Sequence, residues 1–165
     1  MIIGKKKYYK LFFTLSLAII VFFIINTYQK RMEKNLAMAE KPIVINLITS
    51  VHPNLAWKFN PIKKKILVKP GEVKTIEYIV ENLDNNETTG IATFAYFPKK
   101  FGSYIRKLNC FCYDAQTLKP MQEDRYSVVI LIDPEVTKDS KTKNIKEVTI
   151  QFTFFDYKEY NESKN

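Results

Sequence analysis

Two hydrophobic patterns divide the chain, one continuous and one alternating. The continuous one is "LFFTLSLAIIVFFIINTY" (11–28), which holds no charge and is dominated by Leu, Ile, Phe and Val. As a helix of about 1.5 Å per residue it is about 27 Å long, close to the hydrocarbon thickness of a bilayer. The run predicts a single transmembrane helix, bracketed by Tyr8, Tyr9 and Tyr28 as interfacial aromatics. From Ile43 onward the helical period gives way to a period of two. In "VTIQFTFF" (148–155), Val148, Ile150, Phe152 and Phe154 share one face, opposite Thr149, Gln151 and Thr153. In "VKTIEYIV" (73–80), Ile76, Tyr78 and Val80 stand opposite Thr75 and Glu77. "IVINLIT" (43–49), "KILVK" (65–69), "GIATFAYF" (90–97) and "YSVVILID" (126–133) predict four more strands, and "WKFN" (57–60) a shorter one.

The breaks between these runs carry turn chemistry. "KPGE" (69–72) sets Pro and Gly in the order of a type II turn, and "LDNNETTG" (83–90) and "DPEVTKDSKTKN" (133–144) are polar loops. About seven strands in some 115 residues predict an all-β, immunoglobulin-like β-sandwich preceded by a single N-terminal transmembrane helix. An open barrel is the alternative. Only 4 glycines are present, so longer crossovers are expected in place of many tight hairpins. Trp57, the only tryptophan, is expected between the sheets.

Charge gives the chain an orientation. The net charge is +9, but residues 1–41 hold 8 basic and 2 acidic side chains, against 18 and 15 in the remainder. A nucleic-acid binder would cluster its cations on the folded part, so that class is set aside. Lys5, Lys6, Lys7 and Lys10 crowd the short flank before the span. The positive-inside rule then keeps 1–10 in the cytoplasm and exports all that follows residue 28. The expected organisation is an anchor at 11–28, a linker at 29–42, an exported domain at 43–157 and a frayed polar tail at 158–165. "AMA" (37–39) has the form of a signal-peptidase site, but Lys30, Arg31 and Lys34 separate it from the apolar run, which is itself long for a signal peptide. The placement expected is a bacterial inner membrane, with the C-terminal domain in the periplasm.

The pointed chemistry is in "KLNCFCYDAQ" (107–116), where Cys110 and Cys112 are the only cysteines. On an extended strand, residues i and i+2 point the same way, with Cα atoms about 6.6 Å apart. A mutual disulfide would then need a bend or accept strain, although an exported compartment is oxidising. Two thiolates on one face suit Cu(I), which tolerates low coordination. Zinc in a structural site needs four ligands, and His52, in the turn "VHPN", is the one histidine. Lys107 and Arg106 could lower the thiol pKa if they approach the sulfurs. Residue chemistry leaves three readings: a Cu(I) site, a strained or intermolecular disulfide, or an inert buried pair.

The surrounding block, "FPKKFGSYIRKLNCFCYDAQTLKP", resembles the cytochrome c oxidase assembly proteins of the CtaG type, a copper-chaperone family. Pro98, Gly102, Tyr104, Lys107, Cys110, Phe111, Cys112, Gln116, Leu118 and Pro120 stand where that family's pattern puts them. "WKF" (57–59), "KPGE" (69–72), "TTGIAT" (88–93), "IDPE" (132–135) and "TFF" (153–155) follow in the same order, over residues 43–157. The resemblance implies a membrane-anchored, non-enzymatic Cu(I) carrier that supplies the haem–copper centre of oxidase subunit I by ligand exchange. It implies Cys110 and Cys112 as the copper ligands and a copper-bridged homodimer. There are departures from the family pattern. Such proteins usually carry another cysteine just after the span, whereas "YQKRMEKNLAMAEKP" has only Met32 and Met38 as soft donors. Arg106 replaces the commoner Asn, and Ala56 the commoner Pro. A periplasmic thiol–disulfide protein or a tethered β-sandwich interaction module are the competing functions. The first would be expected to show C-x-x-C before a helix, which this chain lacks.

Overall fold

The computed structural model describes residues 3–39 and 41–163, with side chains described over 15–33 and 41–163. It forms two units, Met1–Met38 and Ala39–Asn165. The first is a continuous helix, α1 (Ile3–Ala39), which runs through the expected span and on through most of the expected linker. Every described side chain on it, from Leu15 to Glu33, is exposed, so its Leu, Ile, Val and Phe residues face outward on all sides. Among the described residues no helix is long and apolar enough to cross a membrane. The first four residues of the expected span, 11–14, and Met38 have side chains outside the described ones, and the expected cytoplasmic segment 1–10 lies outside them too.

The second unit is a two-sheet sandwich. Its strands are β1 (Ile43–Val51), β2 (Trp57–Pro61), β3 (Lys65–Val68), β4 (Val73–Asn82), β5 (Thr88–Phe97), β6 (Ile105–Cys110), β7 (Gln116–Leu118), β8 (Glu123–Ile132) and β9 (Glu147–Asp156). One sheet has the order β3-β1-β9-β5-β7 and the other β2-β4-β8-β6. All seven expected strands form, and β6 and β7, which flank the cysteines, are additional. The period-two residues do what their pattern predicts: Val148, Ile150, Phe152 and Phe154 of β9 and Ile76, Tyr78 and Val80 of β4 are buried. They meet Ile45 and Leu47 of β1 and Val128, Ile130 and Ile132 of β8 in one core. Burying such a side chain is worth about 1.5–3 kcal/mol, which is why the alternation sets the register so firmly. β1 and β9 pair in parallel, from Val44 opposite Glu147 to Val51 opposite Phe154.

Polar groups finish the sandwich. The type II turn forms as expected: Gly71 has φ +86° and the N–H of Glu72 donates to the Lys69 carbonyl at 2.9 Å. Trp57 is buried, with its indole N–H donating to Thr88 Oγ1 at 2.7 Å. Asn82 is completely buried. Its amide nitrogen donates to the carbonyls of Asn86 (2.9 Å), Leu118 (3.1 Å) and Lys119 (3.0 Å), and its oxygen accepts from Asp84 N–H (2.9 Å). One side chain thus ties the end of β4 to β7. The expected frayed tail is in part a short helix, α2 (Tyr157–Glu162). Asp156 caps it by accepting from Glu159 N–H, and the Glu159 carboxylate accepts from Asn54 at 2.9 and 2.8 Å.

Among the described residues two buried polar side-chain atoms have no hydrogen-bond partner, His52 Nδ1 and the Tyr78 hydroxyl. Burial pushes the pKa of Tyr78 up. An unpaired buried hydroxyl costs about 1–3 kcal/mol of desolvation. Tyr78→Phe is therefore expected to unfold at equal or higher denaturant than the parent chain, by up to about 1 kcal/mol. A clear loss of stability in urea unfolding would mean that the hydroxyl has a partner in solution.

Candidate metal centre

The cysteines sit at the corner where the chain leaves one sheet for the other. β6 is the edge strand of the four-stranded sheet and β7 the edge strand of the five-stranded one. The strand ends at Cys110, and Phe111–Tyr113 form one 3-10 turn. Extended geometry therefore does not continue across the pair, and the expected spacing of about 6.6 Å contracts. The Cα atoms are 5.0 Å apart and the sulfurs are joined as a disulfide, S–S 2.04 Å. This corrects the expectation that their mutual disulfide is disfavoured: the turn supplies the bend. Cys112 N–H donates to Cys110 Sγ at 3.1 Å, so the bend also gives the first sulfur a backbone partner.

Phe111 explains why the chain turns here. With the backbone bent, its ring enters the aromatic core, while Cys112 stays half-buried. The ring stacks on Tyr126 (5.5 Å between centroids) and Phe154 (5.8 Å). It also lies against Phe152 (5.0 Å), Tyr78 (5.6 Å) and Phe59 (5.9 Å). Burial pushes the Tyr126 phenol up to about 12, with Asp124 adding to the shift. Gln116 then braces the turn from β7, its amide donating to the carbonyls of Phe111 (3.1 Å) and Asp114 (3.2 Å). Tyr113 hydroxyl donates back to the Lys107 carbonyl at 3.0 Å.

Of the two cations expected near the sulfurs, only Lys107 arrives. Its Nζ is 3.6 Å from Cys112 Sγ. The ammonium lies over the Phe94 ring at 4.5 Å and the Tyr113 ring at 5.4 Å, and desolvation lowers its pKa. Arg106 points away to Asp133, at 2.8 Å. The Asp133 carboxyl is held below its ordinary pKa, first by the backbone N–H of Glu135 and then by Arg106. Phe94, Tyr113 and Gln116 complete the surroundings. Gln116 was visible in the family pattern, but no spacing marked Phe94 or Tyr113.

Among the described residues no group of three or more His, Cys, Asp or Glu is placed to hold a metal. The pair alone can offer two soft donors when reduced, a set that fits Cu(I) and falls short of a structural zinc site. His52 is a turn residue, as expected: its N–H donates to the Phe154 carbonyl and its ring stacks on Phe155 at 5.5 Å. Met32 is exposed on α1.

Comparison with known proteins agrees with the motif reading. Cytochrome c oxidase assembly protein CtaG of Ehrlichia ruminantium (strain Gardel) is 39% identical over 122 residues, covering 74% of this chain and 69% of that protein. The protein of the same name from Sinorhizobium fredii is 38% identical over 116 residues, covering 70% and 58%. That from Brucella ovis is 35% identical over 116 residues, with the same coverage. The ASH/PapD-like domain of human CEP192 aligns at 13% identity over 72% of this chain and 86% of its own, with a TM-score of 0.29, too low to carry an argument. The family model for cytochrome c oxidase assembly protein CtaG/Cox11 matches residues 20–156, and this chain belongs to that family.

Proposed function

We propose that the chain is a membrane-anchored Cu(I) carrier that serves cytochrome c oxidase assembly and hands its metal to subunit I. The observation that carries this reading is the corner itself. Two sulfurs are brought together on a turn pinned by an aromatic plug, one of them half-exposed and facing a cation. Membership of a family named for oxidase assembly supports the partner. The exposed apolar run from Leu15 to Ile25 of α1 supports the anchor, since such a surface needs an apolar medium. The site faces the periplasmic side of a bacterial inner membrane, next to a membrane-embedded acceptor. Delivery is a ligand exchange and needs no turnover chemistry.

Loading begins with the dithiol. Two electrons and two protons from an added reductant open the disulfide, and Cu(I) then displaces both thiol protons. Phe111 and Gln116 keep the sulfurs together throughout, so the metal is held without reorganising the strands. Cys112, the less buried sulfur, is the one an incoming acceptor ligand reaches. Sharing of one ion between two copies supplies further sulfurs where a third thiolate is missing.

Anaerobic Cu(I) titration of the full chain in detergent, with mass by light scattering, tests the reading. The reduced chain is expected to take up one Cu(I) per cysteine pair, or one per two chains in a bridged dimer. The disulfide form, Cys110→Ser and Cys112→Ser should each take up none. Unchanged copper content in the double variant sinks the proposal. The disulfide also favours a second reading, thiol–disulfide exchange with a partner protein, for which reductase or isomerase turnover by the chain is the signature.

A further inference from the structure

We infer that Lys107 makes the cysteine pair selective for ions of single positive charge, by supplying one fixed cation to the loaded site. This rests on the Cu(I) reading of the pair and goes beyond it to the charge of the cargo. Lys107 is half-buried at the open edge between the sheets. Its ammonium is held by the faces of Phe94 and Tyr113, at 4.5 and 5.4 Å, and is aimed at Cys112 Sγ, at 3.6 Å. Among the described residues it has no carboxylate within ion-pair distance. Partly desolvated cations are normally paired, so this position calls for an anion. The group it faces is the sulfur pair, which becomes one once the disulfide is reduced and the thiol protons are lost.

The charge count decides which ion completes the site. Two thiolates carry −2. A monovalent ion leaves −1, which the ammonium neutralises, whereas a divalent ion leaves zero and gains nothing from it. A charge pair at this separation in a partly solvated site is worth at least about tenfold in affinity. Lys107 is a specificity-determining residue that never touches the metal.

The test compares ions on the full-length chain in detergent, reduced and under anaerobic conditions. Cu(I) and Ag(I) affinities are measured by competition with a chromophoric chelator, and Zn(II) affinity by a zinc indicator. Lys107→Met is expected to weaken Cu(I) and Ag(I) about tenfold or more, while Zn(II) changes less than about threefold. Lys107→Arg keeps the charge and should keep the discrimination. Equal losses for monovalent and divalent ions would make Lys107 a packing residue and overturn the inference, and so would no loss for either. Should Lys107→Met misfold by near-ultraviolet circular dichroism, Lys107→Gln takes its place in the same comparison, with the same outcomes expected. Failure of the parent chain to bind Cu(I) would instead count against the proposed function.

Discussion

Phe111→Ala is expected to destabilise the β-sandwich by about 2–4 kcal/mol and to loosen the turn that holds the two cysteines at the same time. Full burial of a phenylalanine would put the loss at about 3–5 kcal/mol, but this ring is only partly covered. What it loses is contact with five other rings from β2, β4, β8 and β9, two of them stacked. Such aromatic contacts add about 0.5–1.5 kcal/mol beyond area alone. The functional cost follows from position in the chain. Phe111 is the sole residue between the two cysteines, so its ring is what fixes their shared turn to the core. Without it Cys110 stays on β6, but Cys112 is free to swing, and Cu(I) affinity should fall about tenfold with both sulfurs intact. Phe111→Leu should recover roughly half the stability and most of the affinity. Urea unfolding followed by Trp57 fluorescence, beside chelator competition, checks both. If Phe111→Ala bound copper as tightly as its parent, the ring would be a core residue and nothing more.

The second large effect lies away from the sulfurs, at Asn82. Its amide serves three carbonyl oxygens and its own oxygen serves a backbone N–H, with the Asn82 side chain itself fully buried. Asn82→Leu removes all four of these hydrogen bonds and should cost about 2–4 kcal/mol. Asn82→Asp is more informative because it adds pH dependence. A carboxyl facing three carbonyl oxygens is favoured only when protonated, so its folded-state pKa is raised above the unfolded value of about 3.9. Below that unfolded value both states hold the proton and the variant is least harmed. As pH rises from there to the folded pKa, the unfolded state alone ionises and stability falls. The expected profile is modest destabilisation near pH 4 that deepens toward neutrality, measured as urea midpoints against pH. A flat profile would place the carboxylate in contact with water.

The sandwich was legible wherever one strand face is fully buried. Ile76, Tyr78 and Val80 of β4 and Val148, Ile150, Phe152 and Phe154 of β9 line one buried face each. A slip of one would expose Tyr78 or Phe152, so at these positions sequence and structure agree. β6 was not legible in the same way. Its inward side carries Ile105 and then Lys107, a cation at a place where alternation predicts a hydrophobe. A β-bulge between Lys107 and Asn109 also shifts the register. β7 has three residues, too few to show a period. The turn at the cysteines was missed because "CFCY" contains neither Gly nor Pro. It is set by where Phe111 can be buried, a tertiary preference that outweighs local extension. The cysteine pair itself was legible from composition and motif, and Lys107 from its closeness in sequence. Phe94 and Tyr113, which hold that lysine in place, come from two different parts of the fold, and nothing local could have joined them.

The parallel pairing of β1 with β9 has a consequence for how the domain comes into being. Strand β9 sits between β1 and β5 and is the central strand of its sheet, yet it is the last of the nine to be synthesised. β1 cannot find that partner until about a hundred further residues have emerged, and such distant contacts slow folding. Through most of synthesis the cysteine corner would have formed its loop but not its floor, since Phe152 and Phe154 arrive with β9. The cysteine corner is therefore completed only when the last strand docks: a nascent domain offers two thiols on a floppy turn, and only the finished one fixes them against the aromatic core.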